Sequence, residues 1–254
     1  MFSHSIAAVI MAAGKGKRMM NPETPKVMYT IGGKPMIEHV VACAKQFQVY
    51  RIIVIVGHQK EKVISHLNNL DPTIETAIQA EQLGTGHAIM QTESALKKFS
   101  GDVVILSGDV PLLRASTVTQ LIDHHRQTNA AVTVLTTRLS NPSGYGRIVR
   151  AFDNSIVKIV EQKDASEDEL KINEINSGIY VFQKEPLFDA LKRITPNNAQ
   201  GEYYLTDVVK IFSQQGLSME PLEVESIDEI RGVNTKEQLE EMEQLYQARF
   251  QTSV

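Results

Sequence analysis

At 254 residues, 42% hydrophobic and 22% charged, the chain is ordinary globular material, long enough for one large domain or two small ones. A formal charge of −4 excludes a general polyanion binder, which would need clustered Lys and Arg against phosphates, so no nucleic-acid partner is expected and any phosphate chemistry is local. One cysteine, Cys43, excludes an intramolecular disulfide and a cysteine-based zinc site.

The N-terminus has no signal-peptide pattern: His4 is the only basic candidate before the apolar run 6–13, which ends in a Gly/Lys loop rather than a cleavage site. No segment approaches the ~20 apolar residues of a membrane span. The expectation is a cytoplasmic protein with no membrane partner.

In chain order, "IAAVIMA" 6–12 reads as a buried strand, "PMIEHVVACAKQF" 35–47 as a helix that buries Cys43, and "RIIVIVG" 51–57 as a second strand. Helical spacing returns at 59–70 and 86–99, a strand at 102–108, a helix at 117–128 and a strand at 130–137. Strands apolar throughout, alternating with helices, predict βαβ units around a mainly parallel sheet covered on both faces.

After about residue 138 the rhythm changes. "NPSGYGRIVR" 141–150 and 155–162 predict a turn-rich β excursion, 174–183 another strand, 186–194 and 204–216 helices, and 234–250 a terminal helix capped by Asn234 or Thr235. With no low-complexity linker and no internal repeat, the expectation is one domain, 1–254, with an inserted or appended β lobe: a core over about 1–138, a β-rich part over about 139–233, and a C-terminal helix over 234–254.

In an open α/β sheet, ligands bind beyond the carboxyl ends of the strands. Three unusual loops follow strands here. The first, "AAGKGKRMMNPETPK" 12–26, breaks both the dinucleotide and the Walker A glycine fingerprints, since Met19 stands where each needs glycine. Gly14 and Gly16 could still shape a backbone anion nest to which Lys15, Lys17 and Arg18 add charge, with Lys26 held at a defined reach by Pro25; set beside the two loops that follow, Arg18 and Lys26 are the expected phosphate ligands and Lys15 and Lys17 the ones turned to solvent. Taken alone, "GKGKR" equally fits a solvated basic turn.

In the second, "QAEQLGTGHA" 79–88, Gln79 and Gln82 carry the donors and acceptors that read a nucleobase edge, and Gly84-Thr85-Gly86 opens a helix; an ordinary glycine-rich helix cap is the alternative. His87 is expected to be a packing or capping imidazole, and the other histidines show no metal-ligand spacing. The third, "SGDVPLL" 107–113, puts Asp109 just past a strand, where a carboxylate holds a hard divalent cation or forms an Asx turn.

Together with "GYGRI", "VEQKDA", "EINSGIYVF", "NNAQGEYYLTD" and "GVNT", these loops resemble, in order and spacing from about residue 6 to 250, the uridylyltransferase domain of the bacterial N-acetylglucosamine-1-phosphate uridyltransferases, within the nucleotide-sugar pyrophosphorylase superfamily. The resemblance implies a Rossmann-like, doubly wound, mixed but mostly parallel sheet of the nucleotide-diphospho-sugar transferase type, with a small β-rich sugar-binding lobe. It implies Mg2+-dependent conversion of UTP and N-acetylglucosamine-1-phosphate to UDP-N-acetylglucosamine, a peptidoglycan precursor, and pyrophosphate.

By the same resemblance, Met11, Ala12, Ala13, Gly14, Gln79, Gln82, Gly84 and Thr85 contact the nucleotide. Arg18 and Lys26 are catalytic, binding the reacting phosphates. Asp109 and Asn234 hold Mg2+, and Gly144, Glu161 and Asn176 contact the sugar. The family often has an aromatic residue before Gly-Asp, where this chain has Ser107. Its usual left-handed β-helix has no counterpart before Val254, so acetyltransferase activity and the trimer which that domain organises are not expected. Glucose or N-acetylgalactosamine phosphates, or dTTP, are the alternative substrates. A glycosyltransferase would want an Asp-x-Asp motif, which is lacking, and a non-catalytic nucleotide-sugar sensor would be expected to lose Arg18, Lys26 or Asp109.

Overall fold

The structure, a computed structural model, describes residues 5–16, 18, 19 and 23–251. His4 and Lys17 lie outside the described residues.

The first half runs β1 (Ser5–Ala12), the small hairpin β2 (Thr30–Ile31) and β3 (Lys34–Pro35), α1 (Met36–Ala44), β4 (Arg51–Val56), α2 (Lys60–Leu70) and β5 (Glu75–Ile78). It continues through α3 (Thr85–Met90), α4 (Glu93–Leu96), β6 (Gly101–Ser107), α5 (Ala115–Thr128) and β7 (Val132–Arg138). The second half runs β8 (Arg147–Arg150), β9 (Ile156–Val160), α6 (Glu167–Leu170), β10 (Glu174–Gln183), α7 (Lys184–Leu191), α8 (Asp207–Gln215), β11 (Met219–Glu223) and α9 (Lys236–Gln251).

The main sheet has the order β11-β7-β10-β6-β1-β4-β5, with β8 and β9 extending from β10. β1 pairs in parallel with β4 and β6, β4 with β5, and β7 with β11; β10 is antiparallel to both β6 and β7, which makes the sheet mixed. Side chains alternate across the pleat. Ile6, Ala8, Ile10 and Ala12 of β1 therefore join one core with α1, α2 and α5, while Ala7 and Val9 join the opposite core with α3, α7 and α8. Both faces are covered, as apolar strands require.

The expected helix over 86–99 is two short helices, broken where Thr92 Oγ1 turns back to donate to Ile89 O at 2.7 Å. The expected helix at 204 begins at Asp207, because Tyr203 is held against the loop at 83–86, its N donating to Leu83 O and its O accepting from Gly86 N, each at 2.8 Å, and 205–206 form a turn into the helix. β5 and β11 were not expected. Both are edge strands, and the half-buried "MEPLE" carries a proline that only an edge tolerates.

Candidate active site

The chain leaves β1 for β4 and β5 on one side and returns to β6 on the other, so the topological switch lies between the carboxyl ends of β1 and β6. A cleft of about 520 Å3 opens there. All three unusual loops line it: Ala12, Ala13, Gly14, Arg18 and Lys26 from the first, Gln79, Gln82, Gly84 and Thr85 from the second, Asp109 from the third, with Met11 of β1 and Asn234 completing the wall.

Asp109, Asn234 and Lys26 meet. Lys26 Nζ donates to Asp109 Oδ2, and to Asn234 Oδ1 at 2.7 Å. The partners are brought together by backbone, since Val233 N donates to Asp109 O at 3.0 Å. Thr235, not Asn234, caps α9, accepting from Gln238 N at 3.3 Å while Gln238 Oε1 accepts from Asn234 N at 2.7 Å. That cap leaves the Asn234 side chain to turn toward Asp109. The carboxylate and amide oxygens already share one ammonium, and such hard oxygen donors suit Mg2+, which takes few protein ligands and fills its octahedron with water and phosphate. Among the described residues no cluster of three or more His, Cys, Asp or Glu side chains offers an alternative cage.

In the second loop, the buried Gln79 has a fixed orientation. Its Nε2 donates to Gly84 O at 3.0 Å and lies 3.2 Å from His87 Nδ1, and since a carbonyl can only accept, the amide nitrogen must point there. Gln79 Oε1 is thus the end free to accept from a ligand. Gln82 Nε2 donates to Gln79 O at 3.1 Å. Thr85 Oγ1 accepts from Leu205 N at 3.0 Å, locking "GEYYLTD" against the start of α3. Gly84, at φ +112°, could not carry a Cβ, which would stand 2.5 Å from Tyr203 O.

Gly144, Glu161 and Asn176 do not line this cleft; they sit beside it on the β8–β10 excursion. Gly144 N donates to Gln162 Oε1. Asn176 lies at an irregularity in β10, where its Nδ2 donates to Tyr180 Oη at 2.6 Å and its Oδ1 accepts from Gly178 N at 3.1 Å. That turn carries Gly178 to the Ser107 side chain, which does line the cleft. The half-buried Glu161 accepts from Thr206 Oγ1 at 3.0 Å; burial first, and then the charges of Asp164, Asp207 and Glu202, push its carboxyl above the ordinary range against that bond. Tyr145 next to Gly144 is also pushed up, by burial and by the Asp109 charge against that of Arg231, which ties this turn electrostatically to the Asp109 side of the site.

Sequence reasoning missed several cleft residues. Lys15, expected to face solvent, contributes to the wall although exposed. Glu202 and Val27 also line the cleft. Gly57, just past β4, is walled in: a Cβ there would come within 2.8 Å of Gln82 Nε2 and 2.9 Å of both Ala13 Cβ and Gln79 O. Its only sequence signal was a glycine directly after a buried strand.

Residues 7–225 match the nucleotidyl transferase family. This chain belongs to that family. The bifunctional protein GlmU of Geobacter sulfurreducens is 47% identical over 93% of this chain and 49% of its own length, and that of Enterococcus faecalis 44% over 90% and 49%. The chain spans about half the length of the curated relatives it matches. A UDP-glucose pyrophosphorylase solved with UDP-glucose has the same fold, with a TM-score of 0.75 at 18% identity over 96% of this chain and 99% of that one. The nucleotidyl transferase fold thus accounts for the mixed sheet and for the loops gathered at its switch point.

Proposed function

We propose that this nucleotidyltransferase converts UTP and N-acetylglucosamine-1-phosphate to UDP-N-acetylglucosamine and pyrophosphate, with Mg2+ as cofactor, in the cytoplasm. The observation that carries the reading is the meeting of Lys26, Asp109 and Asn234 in the same cleft as the fixed Gln79 amide. The nucleotide would occupy the part built by about residues 1–138 and the sugar the part built by about 139–233.

The sugar phosphate needs little activation, because a phosphate monoester has a second pKa near ~6 and its oxygen is already anionic at neutral pH. That oxygen attacks the α-phosphorus of UTP; the new P–O bond forms as the bond to the bridging oxygen of the β-phosphate breaks, and pyrophosphate leaves with the electron pair. The difficulty is bringing two anions together in line, which is positioning and electrostatic work. Arg18 and Lys26 place positive charge at the reacting phosphates, and the loop from Ala12 to Gly16 lets the phosphates approach the backbone. Asp109 and Asn234 would hold Mg2+, which would supply further neutralisation of phosphate charge. Gln79 Oε1 meets the N3–H of uracil. Glu161 accepts from a sugar hydroxyl or the acetamido N–H, Gly144 lies against the sugar, and Asn176 offers the remaining lone pair of its Oδ1. No residue needs to form a covalent intermediate.

Purified protein with UTP, Mg2+ and N-acetylglucosamine-1-phosphate should release pyrophosphate, and Asp109→Ala should nearly abolish that release. A much higher kcat/KM with glucose-1-phosphate would overturn the sugar assignment, and an unaffected Asp109→Ala rate would overturn the metal site.

A further inference from the structure

Lys26 occupies the place that the two cation ligands would share. Its ammonium donates to both Asp109 Oδ2 and Asn234 Oδ1, and its side chain is only 13% exposed. A divalent cation bound to both oxygens at ~2.0–2.1 Å would stand close against that ammonium, an arrangement two positive charges disfavour. Nor can Lys26 neutralise a reacting phosphate while it is tied to Asp109. The two duties exclude each other in one conformation.

We propose that Lys26 holds the cation site closed in the nucleotide-free protein, and that the site admits a divalent cation only together with the triphosphate that draws Lys26 away. The inference rests on Asp109 and Asn234 being the cation ligands. The lysine has somewhere to go. Its stem passes directly beside the glycine loop, so close that a Cβ on Gly16 would stand 2.9 Å from Lys26 Cβ. Rotation about the flexible four-carbon stem therefore carries the ammonium from the carboxylate to the loop where phosphates would lie.

Leaving Asp109 with no phosphate to receive the charge strands a cation and an anion in a half-buried site. With phosphates present, both acquire partners. Cation and nucleotide therefore each raise the other's affinity, and linkage makes the two effects equal. The substrate form selected is the metal–triphosphate complex, and free divalent cation is resisted. Meanwhile Lys26 keeps the Asp109 and Asn234 oxygens facing one point.

Mn2+ serves as the probe, titrated into nucleotide-free protein with free Mn2+ counted by electron paramagnetic resonance. Lys26→Met should bind Mn2+ more tightly than wild type, by roughly ten- to a hundredfold, the range expected on removing a charge-assisted competitor. Saturating UTP should tighten Mn2+ binding to wild type and do so far less in Lys26→Met. Lys26→Gln, neutral but still polar, should rank with the Met variant and serves if that variant does not fold. If Lys26 is instead a fixed support for the ligands, both variants bind Mn2+ equally to or more weakly than wild type, which overturns the proposal. The double variant Lys26→Met/Asp109→Ala should lose the gained affinity; if it keeps the gain, Asp109 is not a ligand and the metal assignment beneath the proposal fails.

Discussion

Thr206 Oγ1 donates a 3.0 Å hydrogen bond to Glu161 Oε1, joining the residue before α8 to the residue after β9. This bond is the main influence holding the Glu161 carboxyl down; burial, followed by Asp164, Asp207 and Glu202, pushes it up, and the upward influences win. On the proposed reading Glu161 accepts from the sugar, and an ionised carboxylate accepts more strongly than the neutral acid. KM for the sugar phosphate should therefore rise as pH falls, at a pH above the ~4.3 of an ordinary glutamate. Thr206→Val removes the opposing bond and should move that rise to still higher pH, and Glu161→Gln should erase it. The sign for stability is the reverse: a raised carboxyl stabilises the fold below its unfolded pKa and loses that contribution as pH rises through its folded value. Glu161→Gln should accordingly melt no lower than wild type at neutral pH. A KM flat with pH in all three proteins would remove Glu161 from sugar binding.

Gln79 presents Oε1 because Gly84 O and His87 Nδ1 hold its nitrogen. Uracil meets that oxygen with an N–H, whereas cytosine presents an acceptor. UTP should therefore be used well ahead of CTP. His87→Ala removes one of the two anchors and should lower the UTP/CTP ratio of kcat/KM by about five- to tenfold, the worth of one neutral hydrogen bond. An unchanged ratio would mean that Gly84 alone orients the amide.

The buried parallel strands were legible because an apolar strand covered on both faces reads as a continuous run, as in "IAAVIMA" and "RIIVIVG". β5 and β11 were not, because an edge strand buries one side at most and their sequences look like loops. The three ligand loops were legible from their glycines and charges and their place after strands. That Asp109 meets Asn234 came only from family resemblance, since pairing across so much sequence is decided by how α9 starts and by the Val233 to Asp109 backbone bond. Glu202 carries no local signal and Gly57 only its place after a buried strand: Gly57 is set by crowding from Ala13 and Gln82, Glu202 by the backbone bonds that hold Tyr203 against Leu83 and Gly86.

Cys43 is buried on α1, and burial, with the Glu229 charge behind it, pushes its thiol up to about 12. Only the thiolate attacks thiol reagents. Native protein should react negligibly with a chromogenic disulfide at neutral pH, and should release one equivalent of chromophore on unfolding in guanidinium. Rapid labelling of the native state would show that α1 opens without global unfolding.

A third apolar cluster joins the ligand loops to the terminal helix. Met242 on α9 is 1% exposed and shares this cluster with Met19, beside Arg18, and Val233, beside Asn234. α9 also meets the β2–β3 turn, where Glu243 Oε2 accepts from Gly32 N at 2.8 Å. The helix thus braces both the glycine loop after β1 and the Asn234 side of the cleft. Met242→Ala should cost about 2–5 kcal/mol through the cavity it leaves. Leu67→Ala, equally buried on α2 in the main core and remote from these loops, should cost a similar amount. At a temperature where both variants are folded, only Met242→Ala should raise KM for UTP. Equal KM values in the two would show that α9 contributes stability without shaping the site.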